Sequence, residues 1–284
     1  MLDLIRRMMP SVISVELQHG SGRVRHLRVT TEDGGARPCV LRRAPRRELE
    51  LYRSWLTPAA TGAPALLGAA PAEQPDEVWL LLEALPELFP DFSDPDQVAA
   101  CYRHLALLHE RHNGRPRAQN GPWSIATGEI EATLQALPET AHLAQQAHLL
   151  TDGPPTLIHG DYHRWNLLVV NSQVRVLDWE HTSFAAPIWD LVLLAPEEPG
   201  WDGAPRGALA LHALRTYHEA GPLARLPLHE FLRLQTLARI FVAARWRRIH
   251  AAKAQTVAPG GARSQIEACA EAERTRTINL ATRL

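Results

Sequence analysis

Lysine is almost absent from this chain of 284 residues: Lys253 is the only one, and the other 29 of its 30 basic side chains are arginines. Any function that usually depends on a lysine in the first half of a chain must here use an arginine or do without the basic residue. Acidic side chains number 31, so the formal net charge is -1. Because a nearly neutral chain has no general attraction for nucleic acid or for an anionic membrane surface, we expect neither as a partner.

Cysteines and long apolar runs are also scarce. Cys39, Cys101 and Cys269 are widely spaced and form no CxxC pair, which argues against a disulfide framework and a zinc knuckle. The opening MLDLIRRMMP lacks the apolar run of a signal peptide, and no window approaches the roughly 20 apolar residues of a membrane span. We therefore expect a protein of the reducing cytoplasm. Hydrophobic residues still make up 45% of the chain, which is enough to bury a core.

The first third of the chain predicts a small antiparallel sheet. Apolar stretches separated by glycine-rich turns indicate three short strands between residues 11 and 41, and two more strands are expected near 65–70 and 77–85. Between the two groups, residues 46–57 repeat apolar side chains at helical spacing. Three strands, a helix and two strands suit a five-stranded sheet with one helix packed on it.

Beyond a proline-containing break at 86–95, the pattern becomes helical, beginning with residues 95–112. Further helices are expected at 127–150, 207–219, 228–252 and 264–284. The exception is a β-rich island at Thr156–Asp178, where the Asn171-Ser172 turn joins two short strands as a hairpin.

This island reads LIHGDYHRWNLLVVNSQVRVLDWE, and its polar residues stand where a hairpin would gather them. Asp161 and Asn166 precede the first strand, and Asp178 follows the second, so folding back brings all three to one end. Carboxylate and amide oxygens suit Mg²⁺ holding phosphates better than they suit zinc. Kinase active sites use the same order, in which the first Asp accepts a hydroxyl proton and the Asn and second Asp hold metal.

These motifs resemble the aminoglycoside phosphotransferase and choline kinase family of small-molecule kinases. The resemblance rests on His159-Gly160-Asp161 with Asn166, on Leu177-Asp178-Trp179-Glu180 and on Pro187-Ile188-Trp189-Asp190-Leu191. It extends over nearly the whole chain, because the strand-rich first part also fits. It implies an α+β, protein-kinase-like bilobal fold, with a nucleotide-binding lobe at residues 1–88 and a mostly helical lobe at residues 89–284 that carries the catalytic loop and the metal-binding hairpin.

The resemblance also implies roles for single residues. Asp161 is expected to be the catalytic residue, and Asn166 and Asp178 are expected to hold Mg²⁺. The supporting residues that it implies are His159, Glu180 and Asp190, the last of which resembles the carboxylate that hydrogen-bonds the catalytic-loop backbone.

In the first lobe the resemblance places the nucleotide. Gly20, Ser21 and Gly22 are expected to let backbone amides approach phosphate, because glycine tolerates the conformations required. Glu83 and Leu85 resemble the segment whose main chain reads adenine. An ordinary hairpin turn and an ordinary buried strand explain the same residues equally well.

The third strand departs from the family pattern. Kinases usually place a lysine there, paired with a glutamate on the next helix, to hold the α- and β-phosphates. Here the position is occupied by Arg42, and Glu48 is the best match to the helix glutamate, with Glu50 as a competing choice. Arginine keeps the charge and forks onto phosphate oxygens, although its planar head changes the geometry.

The sequence therefore predicts a kinase that moves the γ-phosphoryl group of ATP, or of GTP as the alternative, to a hydroxyl of a small aminoglycoside-, choline- or sugar-like molecule. From His181 onward, thirteen basic residues against nine acidic ones disfavour a polycationic aminoglycoside. Two alternatives stay open: Arg42 leaves room for a nucleotide-binding pseudokinase, and an H-x-D-x-H cluster of His159, Asp161 and His163 would suit a metal-dependent hydrolase. The sequence carries no signal for an oligomeric state.

Overall fold

A computed structural model describes residues 1–115, 123–194, 207–257 and 260–281 of the chain, apart from the side chains of Ser21 and Leu193. By its contacts the chain divides into two compact units. The first consists of Met1–Pro90 and Arg164–Glu180, and the second of Asp91–His163 and His181–Leu284. The predicted lobes, 1–88 and 89–284, are each continuous in sequence, and the prediction places the metal-binding hairpin in the second of them. The division by contacts instead assigns residues 164–180, which contain this hairpin, to the first unit.

The first unit contains α1 (Leu2–Met8), β1 (Val12–Ser21), β2 (Val24–Thr31), β3 (Ala36–Pro45), α2 (Arg46–Ser54), α3 (Pro58–Thr61), β4 (Leu66–Pro71) and β5 (Glu77–Glu83). The second unit contains α4 (Pro95–Arg111), α5 (Thr127–Gln135), β6 (Thr156–Ile158), β9 (Ser183–Ala185), α6 (Ile188–Leu194), α7 (Gly207–Ala220), α8 (Leu228–Thr256) and α9 (Gly261–Ala281). The hairpin of the first unit is formed by β7 (Leu167–Val170) and β8 (Gln173–Val176).

The five strands of the first unit form one antiparallel sheet in the order β1-β2-β3-β5-β4. This sheet, together with the mostly helical second unit, confirms the predicted α+β fold class. Leu27, Cys39 and Leu41 alternate with exposed or half-buried neighbours along their strands. Together with Leu81 of β5 they are buried in one cluster on one face of the sheet.

That buried face is covered by α1, which the sequence pattern does not predict. Ile5 of α1 is fully buried in the cluster that contains the strand residues. Gly68 of β4 allows the close approach, because a Cβ atom at Gly68 would lie 2.6 Å from the carbonyl oxygen of Met8. A seven-residue helix without a side-chain cap is too short to form by propensity alone, so packing stabilises it.

The hairpin forms at the predicted turn. Asn171 and Ser172 both adopt left-handed backbone angles, with φ of 50° and 62°, as a two-residue type I′ turn requires. Val176 then donates its N–H to Gly62 O at 2.9 Å, and the Arg175 guanidinium donates to the same oxygen at 3.1 Å. These bonds attach the hairpin to the chain that precedes β4.

The second unit begins with α4, for which Asp94 is the N-cap and accepts a hydrogen bond from the Asp96 N–H at 2.9 Å. The single helix predicted over 127–150 is wrong in its middle, because α5 ends at Gln135 and a 3₁₀ helix covers Ala141–Leu150. Pro138 explains the break, since proline disfavours a helical residue before it. Within the described ranges, no helix is both long and apolar enough to cross a membrane.

Candidate active site

The guanidinium of Arg42 joins three carboxylates within the first unit. Arg42 Nη2 lies 3.0 Å from Glu48 Oε2 on α2 and 3.3 Å from Glu180 Oε2, while Nη1 lies 2.8 Å from Asp178 Oδ1 after β8. The helix glutamate that contacts Arg42 is thus Glu48, and the competing Glu50 is exposed. One residue expected to serve the nucleotide, one expected to hold its metal and one expected supporting residue are therefore held around the same cation.

Glu48 is the most deeply buried member of this cluster, with 1% of its surface exposed. Its second oxygen, Oε1, is buried without a hydrogen-bond partner in the described part of the chain. Burial raises the pKa of Glu48 to about 7, although the charge of Arg42 acts in the opposite direction. Near neutral pH this carboxyl group is therefore poised between its charged and neutral forms.

The two expected metal ligands lie at the open end of the hairpin. Leu177 donates its N–H to the carbonyl oxygen of Asn166 at 2.8 Å, so the backbones before and after the hairpin are paired. Asp178 follows with a left-handed backbone (φ 60°) and a side chain that is 39% exposed. A carboxylate and an amide that follow paired backbone segments are the hard oxygen donors that Mg²⁺ prefers, so these residue types fit the ion.

The glycine-rich turn joins β1 and β2. Gly20 has a φ of 106°, and a Cβ atom there would lie 2.5 Å from Val24 O, so only glycine fits. Gly22 has a φ of 62° with open space around it. Ser21 pairs with Val24 through its backbone, and its side chain lies outside the described part of the structure. The phosphate role of this turn stays a prediction.

Glu83 ends β5, and its side chain serves the fold. Its carboxylate lies 2.8 Å from the Arg175 guanidinium and accepts a hydrogen bond from Ala65 N–H at 3.1 Å. The Glu83 N–H also donates to Ala65 O at 2.9 Å. Recognition of a base by the main chain of Glu83 and Leu85 stays a prediction.

The catalytic loop candidate belongs to the second unit. The N–H of Asp161 donates to His159 Nδ1 at 3.2 Å, and Asp161 Oδ2 lies 3.3 Å from His163 Nε2. Partial burial acts to raise the pKa of Asp161, but the hydrogen bond and charge of His163 outweigh it, so the pKa is lowered. At neutral pH Asp161 is therefore an ionised, half-exposed carboxylate that is able to accept a proton.

Asp190 holds the backbone of this loop. Its two oxygens accept hydrogen bonds from the N–H groups of His159 at 2.8 Å and Gly160 at 2.7 Å. Its Oδ2 also lies 3.0 Å from His109 Nε2, and His109 Nδ1 lies 2.7 Å from the Tyr217 hydroxyl. All of these side chains are fully buried. In the neutral tautomer that donates Nε2–H to Asp190, Nδ1 is able to accept a hydrogen bond from the Tyr217 hydroxyl.

His109 and Tyr217 are functional candidates that the sequence reasoning misses. His109 does carry a signal, because it lies four residues after Leu105 on the buried stripe of α4. A polar residue on an apolar stripe must find a buried partner. No comparable signal marks Tyr217.

Trp123 is a further residue that the sequence does not indicate. Its indole Nε1–H donates to Gly160 O at 2.7 Å. Gly160 has a φ of 81°, and a Cβ atom there would lie 2.3 Å from His181 O and 2.7 Å from Trp123 Cδ1. The glycine of the loop is therefore enclosed from two sides.

The predicted residues thus fall into two groups. Arg42, Glu48, Asp178 and Glu180 are together in the first unit, and His159, Asp161 and Asp190 are together in the second. The gathering of Asp161 with Asn166 and Asp178 stays a prediction. Among the described residues, no group of three or more His, Cys, Asp or Glu side chains is arranged to hold a metal ion, which gives the H-x-D-x-H hydrolase no support.

A protein-family model matches most of the chain. The family described as the phosphotransferase enzyme family matches residues 18–228, which are 211 of the 284 residues. No curated protein sequence matches the chain.

Solved structures resemble the chain over nearly its whole length. An aminoglycoside phosphotransferase from Alicyclobacillus acidocaldarius has a TM-score of 0.59 and 15% identity, with 99% of this chain and 95% of that chain covered. The choline kinase of Cryptosporidium parvum has a TM-score of 0.57 and 12% identity, with 97% and 90% covered. A thermostable mutant of a further aminoglycoside phosphotransferase, in a ternary complex with AMP-PNP and hygromycin B, has a TM-score of 0.59 and 14% identity, with 98% of each chain covered. These likenesses confirm the kinase-like fold.

Proposed function

The chain belongs to the phosphotransferase enzyme family, and from this premise we propose that it transfers the γ-phosphoryl group of ATP to a hydroxyl of a small molecule. One observation carries the proposal: a strand cation, Arg42, binds both the helix carboxylate Glu48 and the hairpin carboxylate Asp178. Kinases use a strand cation paired with a helix glutamate to hold the nucleotide phosphates.

The nucleotide is assigned to the first unit. Arg42 binds phosphate oxygens through its guanidinium, which Glu48 holds in place at Nη2. Asn166 and Asp178 hold Mg²⁺, which when bound supplies charge neutralisation on the phosphates. The complex of a structural neighbour with AMP-PNP supports a nucleoside triphosphate as the donor. GTP is the alternative donor to test beside ATP.

The acceptor hydroxyl is assigned to Asp161. Its ionised carboxylate orients the hydroxyl and accepts its proton. His163 Nε2 lies 3.3 Å from one oxygen of this carboxylate and holds it in position. Asp190 fixes the loop through the N–H groups of His159 and Gly160, so that the carboxylate of Asp161 keeps its direction. Such positioning supplies much of the catalysis in phosphoryl transfer.

The acceptor is a small hydroxylated molecule, and the basic excess after His181 favours a neutral or anionic one over a polycation. We assign the reaction to the cytoplasm, which the three unpaired cysteines favour.

Replacement of Asp161 by asparagine tests the role of this carboxylate. In an ADP-release assay with MgATP and a panel of hydroxylated acceptors, we expect turnover to fall by at least about 100-fold, because a general base contributes at least that much. The dissociation constant for ATP stays within about twofold of wild type, since Asp161 lies outside the first unit. Asp152→Asn, which changes an exposed carboxylate of the same unit, is the matched control.

Two results would contradict the proposal. Unchanged turnover in Asp161→Asn would remove this residue from the role. Tight ATP binding by the wild-type protein without ADP release for any acceptor would favour a pseudokinase.

A further inference from the structure

A cavity in the second unit lies among the helices α7, α8 and α9. Its volume is about 410 Å³, which is within the usual size range of small-molecule sites. Leucine side chains from all three helices form much of its wall: Leu211 and Leu214 of α7, Leu232 of α8 and Leu280 of α9. None of the described residues that line the cavity has a role in the proposed phosphoryl transfer. The wall therefore offers a separate apolar surface to the body of a small molecule.

A buried glutamine in this wall lacks a hydrogen-bond partner for its amide nitrogen. Gln235 of α8 lines the cavity and has 3% of its surface exposed. Its Nε2 atom is buried and has no acceptor in the described part of the chain. An unpaired buried donor costs free energy, so such a group needs an explanation. The last torsion of glutamine is broad and roughly two-fold, so a half-turn exchanges the nitrogen and the oxygen. The amide is therefore able to donate to an oxygen of a molecule in the cavity.

The charge of the wall is positive. Arg239 lies about one helical turn after Gln235 on α8, lines the same cavity and is 9% exposed. Among the described residues of the wall it carries the only charged side chain, and arginine keeps its charge at all ordinary pH values. Gly207 and Ala208, in the first turn of α7, also line the cavity. The first N–H groups of a helix have no partner within it and attract anions. Both features favour a ligand that carries a negative charge.

We propose that this cavity binds a small carboxylate with an apolar body. The carboxylate accepts a hydrogen bond from the Gln235 amide in the positive field of Arg239, and the apolar body packs against the leucine side chains of the wall. A carboxylate suits the three observations together, because they combine an apolar wall, an unpaired amide donor and a cation. The inference does not rest on the proposed function, since binding at this wall requires neither a nucleotide nor an acceptor hydroxyl.

Hexanoate and octanoate are the probes for this site, and each is titrated into the full-length protein without nucleotide. Both are expected to bind saturably in isothermal titration calorimetry and to raise the melting temperature, because a ligand of the folded state stabilises that state. Hexylamine carries the opposite charge on the same chain, and hexanol carries none. Each is expected to bind at least about 10-fold more weakly than hexanoate, because a hydrogen bond to a charged group is lost.

Gln235→Leu separates the hydrogen bond from the apolar wall. Leucine removes an unpaired buried amide and keeps an apolar side chain of similar size, so the melting temperature of the free protein is expected not to fall. The affinity for octanoate is expected to fall by about 10-fold or more. Gln145→Leu, which changes an exposed glutamine of the same unit, is the matched control and leaves the affinity for octanoate unchanged. Leu211→Trp changes a half-buried residue of the wall and is expected to abolish binding, because the larger side chain fills the cavity.

Four results would overturn the carboxylate site. The first is the absence of saturable binding by either carboxylate, and the second is equal affinity for hexanoate and hexanol. The third is octanoate binding by Gln235→Leu that is as tight as that of the wild-type protein. The fourth is displacement of octanoate by MgATP, because it would place the carboxylate at the nucleotide. A protein that binds octanoate through Gln235 but releases no ADP with any acceptor would keep this inference and contradict only the proposed function.

Discussion

Replacement of Arg42 by methionine removes the cation from the charge cluster of the first unit while keeping an apolar stem. Three carboxylates then lose their ion pair with Arg42: Glu48, Asp178 and Glu180. The side chains of Asp178 and Glu180 are 39% and 32% exposed, so water screens them and each loss is small. Glu48 is buried, and the cost of the substitution is therefore concentrated there.

The magnitude follows from the pKa of Glu48. In the wild-type protein burial raises that pKa from 4.5 to about 7, a difference that corresponds to about 3 kcal/mol. The folded state holds the proton more tightly than the unfolded state, so this contribution to stability is fully present below pH 4.5 and is lost as pH rises through about 7. Without Arg42 the pKa of Glu48 rises further. The folded state then continues to lose stability above pH 7, at up to about 1.4 kcal/mol per pH unit.

Urea unfolding at pH 6 and pH 9 measures this difference. At pH 6 Glu48 is mostly protonated in both proteins, and Arg42→Met is expected to cost less than about 1 kcal/mol. At pH 9 the cost is expected to reach about 3 kcal/mol, the lower value for breaking a buried ion pair. The double variant Arg42→Met/Glu48→Gln, which carries no buried charge there, loses the extra pH dependence. Equal destabilisation at the two pH values, or a double variant that keeps the dependence, would refute this account of Glu48.

Two further predictions concern the loop that carries the proposed base, Asp161. Gly160→Ala is expected to lower the free energy of unfolding by about 2 to 5 kcal/mol, because the left-handed backbone and the clash with His181 O add together. The control is Gly34→Ala, because Gly34 has the same φ of 81° but open space around it. Its free energy of unfolding is expected to fall by only about 1 to 2 kcal/mol. Equal losses of stability for the two variants in thermal or urea unfolding would contradict the steric argument. Tyr217→Phe leaves the buried Nδ1 of His109 without its donor, and is expected to cost about 1 to 3 kcal/mol of stability and to lower kcat through Asp190. Tyr102→Phe removes another buried hydroxyl, which donates to Leu194 O, and leaves kcat unchanged; an equal fall in kcat for both variants would show that the Asp190 network has no special role.

Local chemistry explains what the sequence predicts well. The Asn171-Ser172 turn forms because asparagine and serine at a two-residue hairpin tolerate left-handed angles, and the flanking apolar runs then pair. The choice of Glu48 over Glu50 also follows from local geometry, since the two residues point to different faces of α2, and only Glu48 is buried.

Contacts between distant parts of the chain explain what the sequence does not predict. Arg42 and Asp178 are 136 residues apart, and no spacing rule indicates that they share an ion pair. The cover of the sheet by α1 depends on the small residue Gly68, which lies 60 positions after Met8. Trp123 likewise becomes part of the loop only through Gly160. In each case packing that is remote in sequence decides the outcome.

The discontinuous first unit has a consequence for how the protein is made. Residues 1–90 leave the ribosome before residues 164–180. The hairpin therefore cannot pair with the first segment until more than seventy intervening residues have been synthesised. Until then Gly62 O and the Glu83 carboxylate lack the bonds that Val176 and Arg175 provide. A gene fragment that stops at Pro90 therefore encodes an incomplete first unit, because it lacks residues 164–180.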